Sequence, residues 1–108
     1  MLGINQIEVC YTPLINRGDY DWYDLSGTSI ASGISLVVCD GPPSATRGGR
    51  FGLLPEIWSL LAPDAVILID DMERPAEQEM LAAWLGTFGG RVTQHGTHKP
   101  YAVYRPRP

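Results

Sequence analysis

Two kinds of hydrophobic pattern alternate along the chain. "ISLVVCD" (34–40) is almost unbroken apolar side chain between Gly33 and Gly41, and "DAVILID" (64–70) repeats the arrangement. Short continuous runs of this kind predict parallel strands buried on both faces. "IEVCYTPLI" (7–15) is β-branched and apolar and predicts a further strand. The aromatic stretch at 20–25 predicts a short strand or an ordered loop, and the small, polar 26–33 predicts a loop.

Between the strands the apolar period lengthens. Leu53, Leu54, Ile57, Trp58 and Leu61 fall at helical spacing, with Pro55 in the first turn and Pro63 past the end. "RPAEQEMLAAWLGTFGG" predicts the clearest helix. Pro75 suits its first turn, Glu77 and Glu79 favour its positive end, and Met80, Leu81, Trp84, Leu85 and Phe88 form its buried stripe. Gly89-Gly90 stops it. "RVTQHG" and "YAVYRP" predict two strands joined around "THKP", followed by a frayed tail, "RPRP".

The order strand, helix, strand, helix, strand, strand predicts one α/β domain over residues 1–108. Its sheet is expected to be mostly parallel, with a C-terminal antiparallel hairpin and helices packed upon it. The 108 residues, 44% hydrophobic and 19% charged, suit a single core. The net charge of −4 argues against nucleic acid as a partner, since only Arg47/Arg50 and Arg105/Arg107 cluster. Cys10 and Cys39 both lie in apolar runs and read as two reduced core thiols. No apolar run is long enough to cross a membrane and the start does not resemble a signal peptide, so a cytoplasmic location and no membrane partner are expected.

Candidate chemistry lies where the apolar strands end in acid. Asp40 ends one, and Asp70-Asp71 end the other. If the strands pair in parallel, the three carboxylates converge at one edge, where ligands of such sheets bind. They then need a cation, a basic partner or raised pKa values. Mg²⁺ is one solution; an aspartate capping the next helix, with the others in water, is the plainer one. Gly41 allows close approach of a ligand, Pro42-Pro43 stiffen the exit, and Arg47 and Arg50 can hold an anion. A solvated loop is the simpler expectation for Arg47. His95 and His98 read as exposed turn residues rather than a metal pair, and Trp22 as packing.

"SLVVCDGPP" followed by "RFGLLPEIWSLLAPDAVILIDDMERPAEQEMLAAWL" resembles the C-terminal half of class I S-adenosylmethionine-dependent methyltransferases, a Rossmann-like fold. "VCYTPLI" and "WYDL" resemble the same family between its third and fourth strands. The resemblance implies that the strands are the family's third to seventh, with the antiparallel sixth and seventh last. It also implies that Asp40, Asp70 and Asp71 bind Mg²⁺, and that Asp40, Gly41, Pro42 and Arg50 face a small-molecule ligand. The family's glycine-rich loop and acid, which bind S-adenosylmethionine, have no counterpart in these residues, and Gly18, Gly27 and Gly33 do not replace them. The resemblance therefore implies a half-domain, not catalytic alone, with a complementary N-terminal half as one partner. In the family the fourth strand lies beside the first. Without that neighbour, "ISLVVCD" is expected to present an unpaired edge, covered by residues 7–15 or by another copy in a homo-oligomer.

Overall fold

A computed structural model describes residues 9–43 and 45–107. The elements run β1 (Leu14–Asn16), β2 (Asp21–Tyr23), β3 (Ile34–Cys39), α1 (Leu53–Ile57), a 3₁₀ turn (Trp58–Leu60), β4 (Leu61–Ile69), α2 (Pro75–Phe88), β5 (Arg91–His95) and β6 (Tyr101–Arg105). This is a mixed α/β chain with two sheets. β1 and β2 form an antiparallel pair of their own, and the main sheet has the order β3-β4-β6-β5.

Only β3 and β4 pair in parallel; β4–β6 and β5–β6 are antiparallel. The expectation of a mostly parallel sheet is therefore corrected. The reason is local: β6 returns from a tight hairpin and settles against β4, so the hairpin supplies two of the three pairings. The strand expected over 7–15 is also cut back. Residues 7 and 8 lie outside the described residues, and β1 begins only at Leu14, after Pro13. Val9 and Tyr11 are exposed, and among the described residues of this segment only Leu14–Asn16 pair, with β2 rather than with β3. Cys10 is exposed as well, against the expectation of a core thiol, whereas Cys39 is buried.

α1 stops earlier than its apolar spacing predicts. Ile57 leaves helical geometry (φ −113°, ψ 2°), a 3₁₀ turn follows, and Leu61 is extended and paired with Ile34. Pro63 keeps the helix from resuming after that turn, because its ring disfavours helical geometry at Ala62. Pro63 itself lacks an N–H and sits where the β3–β4 register shifts between Ile34 and Leu36. The C-terminal tail is not frayed up to Arg107. Pro106 is buried, and Arg107 donates to the carbonyls of Trp58 (2.9 Å) and Leu61 (3.4 Å) while covering the Trp58 ring. Pro108 is outside the described residues.

The core occupies one face of the main sheet. Cys39, Ala65, Ile67, Ile69, Ala102 and Tyr104 point into it. α2 contributes Met80, Leu81 and Trp84, and α1 contributes Leu53, Leu54 and Ile57. Trp84 stacks on Tyr104 at 6.0 Å and donates from Nε1 to the Phe51 carbonyl (3.0 Å), which ties α2 to both the sheet and the turn before α1. The opposite face is uneven. Leu36 and Val38 are 58% and 67% exposed, so β3 is buried on one face only, not on both as its continuous apolar run predicts. The register puts Val38, Leu68 and Val103 in one row across that face.

Candidate functional site

Parallel pairing of β3 and β4 sets the geometry. Cys39 lies opposite Ile69, so both strands end at the same level. Asp40 follows one and Asp70-Asp71 the other. One carboxylate oxygen from each of the three lies within 4.8 Å of the others. Three acids at that separation repel unless compensated. Asp71 adopts a left-handed backbone (φ 62°), and its N–H donates to Asp70 Oδ1 at 2.8 Å. An aspartate tolerates this conformation better than a branched residue, and such outliers cluster at ligand sites.

Part of the compensation is internal. The Arg50 guanidinium is buried, with Nη2 at 3.3 Å from Asp71 and 3.9 Å from Asp40, and Nη1 at 3.9 Å from Glu77. Its Nε donates to the Pro42 carbonyl (3.4 Å). Arg74 adds a second cation, 3.5 Å from Asp71. Asp70 has no basic side chain within 4.0 Å among the described residues. Arg50 Nη1 and Glu77 Oε2 are buried without hydrogen-bond partners, so this ion pair is imperfectly satisfied.

The sequence-predicted residues thus fall into two groups. Asp40, Asp70 and Asp71 converge as expected, with Gly41 beside Asp40. Arg50 reaches the same place from behind, but its side chain is only 5% exposed and faces acids, so it is not free to hold an anion. Pro42 is fully buried and contacts Arg50 through its carbonyl rather than facing a ligand.

Arg47 is not a solvated bystander. It donates to Gly18 O (2.7 Å), Tyr20 O (3.2 Å), Asn16 Oδ1 (2.9 Å) and Asp21 Oδ1 (2.8 Å), stapling the β1–β2 hairpin to the turn before α1. Glu77 escaped the sequence reading, which placed it at the helix start for its charge. The signal was present: Glu77 lies three, four and seven residues before Met80, Leu81 and Trp84, on the buried stripe.

Beside Asp40 and Gly41 opens a cleft of about 440 Å³, walled by Trp22, Tyr23, Leu25, Ile30 and Val38. Trp22 is buried, as its packing role predicts. Cys39 also borders the cleft, but burial pushes its thiol up to about 11, opposed by the nearby Arg50 charge; it is no nucleophile near neutral pH. His95 is exposed, stacked on Tyr101 at 5.2 Å and bonded to Thr93, and His98 is exposed too.

Comparison of the chain with protein-family models, with curated proteins and with solved structures returns no match. No helix among the described residues is long and apolar enough to cross a membrane.

Proposed function

We propose that this chain is the substrate and metal side of a methyltransferase-type site, a half-domain that is not catalytic alone. The observation that carries the reading is the convergence of Asp40, Asp70 and Asp71 at the carboxyl ends of a parallel strand pair, beside an apolar cleft. A donor set made wholly of carboxylate oxygens suits a hard divalent cation such as Mg²⁺. Asp40 is largely exposed and Asp70 unpaired by any described cation, so both offer oxygens, while Asp71 is shared with Arg50 and Arg74.

When bound there, Mg²⁺ supplies Lewis acidity and a fixed anchor for a substrate hydroxylate. The chain's own residues do the rest. The three aspartates would hold the ion, Arg50 fixes Asp71 from the buried side, and Trp22, Tyr23 and Val38 would shelter an apolar substrate body from water.

S-adenosylmethionine does not fit these residues by themselves. Among the described residues no strand leads through a glycine turn into a helix in the way that group requires. Gly18 lies in the β1–β2 hairpin, Gly33 precedes β3, and Gly48-Gly49 precede only the five-residue α1. The surface that group needs lies outside the described residues, in a complementary half or in another copy. The edge of β3, unpaired among the described residues, and its exposed Leu36 and Val38 favour such a partner.

Calorimetry tests the reading. The chain is expected to bind Mg²⁺, with the affinity lost in the double variant Asp40→Asn, Asp70→Asn, and to show no saturable binding of S-adenosylmethionine. Micromolar cofactor binding by the chain alone overturns the half-domain, and absence of Mg²⁺ binding removes the metal.

A further inference from the structure

The sheet end opposite the acidic edge carries the inverse charge pattern. The sequence has seven arginines. Four are ion-paired: Arg17 with Glu56, Arg47 with Asp21, and Arg50 and Arg74 with Asp71. The other three, Arg91, Arg105 and Arg107, all line one cleft of about 480 Å³, closed on its apolar side by Pro63 and Ala65. Arg91 opens β5 and Arg105 closes β6, and the register sets them directly opposite one another.

Like charges facing across an antiparallel pair destabilise it. Among the described residues the repulsion has no remedy: no described carboxylate lies within 4.0 Å of Arg91, Arg105 or Arg107. Asp64 also lines the cleft but stays beyond that distance. Arg107 is held in place by its bonds to Trp58 and Leu61, so its charge is fixed at the rim. A chain of net charge −4 has gathered at one concave place the three arginines that no described carboxylate pairs.

We infer that this cleft binds the phosphoryl group of a small molecule, at a site separate from the acidic edge. A monocarboxylate brings one charge and two oxygens, enough for one guanidinium fork. A phosphoryl dianion brings a second charge and a third oxygen, so it engages both Arg91 and Arg105 and relieves their repulsion. The exposed Pro63 then receives the apolar body that carries it. Asp64, a like charge in the same cleft, holds the affinity down.

Phenyl phosphate, inorganic phosphate and benzoate are the probes, titrated at low chloride by calorimetry and by thermal melting. Phenyl phosphate is expected to bind saturably and tighter than benzoate. Arg91→Gln and Arg105→Gln are each expected to weaken it about ten-fold, the loss of a charge-assisted bond. Asp64→Asn is expected to tighten it. Without ligand, Arg91→Gln should melt higher than the unaltered chain, because the repulsion is gone, and should lose the shift that phenyl phosphate produces. Inorganic phosphate binding as well as the ester assigns free oxyanion, and weaker binding assigns an ester; both support a phosphoryl site. The inference is overturned by benzoate matching phenyl phosphate, by arginine variants that bind unchanged, or by no saturable binding. A single-stranded oligonucleotide that outcompetes phenyl phosphate would replace the small molecule with a polymer and overturn it too. The Mg²⁺ titration is read at the opposite sheet end, so neither result decides the other.

Discussion

Arg50 is the residue on which the acidic edge depends. It lies almost fully buried between acids from the end of β3, the end of β4 and the first turns of α2. A buried ion pair is weak evidence of net stability, but removing one partner strands the other charge. Arg50→Met leaves Glu77, 2% exposed, without the one cation near it among the described residues. The expected cost is about 3 kcal/mol in urea unfolding. The double variant Arg50→Met, Glu77→Met should recover a large part, because it removes the stranded charge as well. A single variant that unfolds at the unaltered midpoint would show that the pair contributes nothing. The three aspartates were legible in the sequence because each ends a conspicuous apolar run. The Arg50–Glu77 contact was not, because it joins residues 27 positions apart through packing that no local pattern encodes.

At the scale of elements, α2 and the β5–β6 hairpin were legible because local pattern and tertiary role agree in them, whereas β3 was legible as a strand but not as a half-exposed one. Pro75 starts α2, and the stripe through Met80, Leu81 and Trp84 faces the core. β1 was overread because its apolar run spans Pro13, after which the paired strand begins, and α1 because its apolar period runs on through a 3₁₀ turn to Leu61, which is already strand. What ties the β1–β2 hairpin to α1 was not legible at all. Gly52 packs so closely under Tyr20 and Trp22 that a Cβ there would lie 2.7 Å from the Tyr20 ring.

The Tyr20 hydroxyl donates to Glu56 Oε2 (2.9 Å), and Arg17 pairs with the same carboxylate at 3.0 Å. Desolvation, followed by the Glu56 bond and charge, pushes Tyr20 up to about 12 from an ordinary 10.0. The unfolded chain then releases this proton first. The contribution is complete below pH 10 and is lost as the pH rises toward 12. Urea unfolding across that window should therefore fall less steeply in Tyr20→Phe than in the unaltered chain. Cys39, raised to about 11, keeps part of the slope in both. Identical slopes would mean that the hydroxyl is not held by Glu56.

At the scale of the whole molecule the chain is a one-sided layer. α1 and α2 cover one face of the main sheet, and the other carries the row Val38, Leu68 and Val103 with Leu36 beside it. β3, the strand richest in exposed apolar side chain, is also an edge of the sheet among the described residues. Natural edge strands are usually blunted by charge, proline or a covering segment. Between Ile34 and Cys39 there is neither charge nor proline. A second copy meeting this edge about a two-fold axis pairs the strand with itself, joins the two bare faces into one surface and leaves the acidic edges accessible at the ends of the strands. Size-exclusion chromatography with light scattering should therefore give a dimer or larger species at high protein concentration. Val38→Lys puts a charge on an already exposed position, so its circular dichroism should match the unaltered chain while its mass falls to the monomer. An unaltered chain that stays monomeric at every concentration would leave the edge to a complementary half. A dimer that survives Val38→Lys would place the contact elsewhere on the molecule.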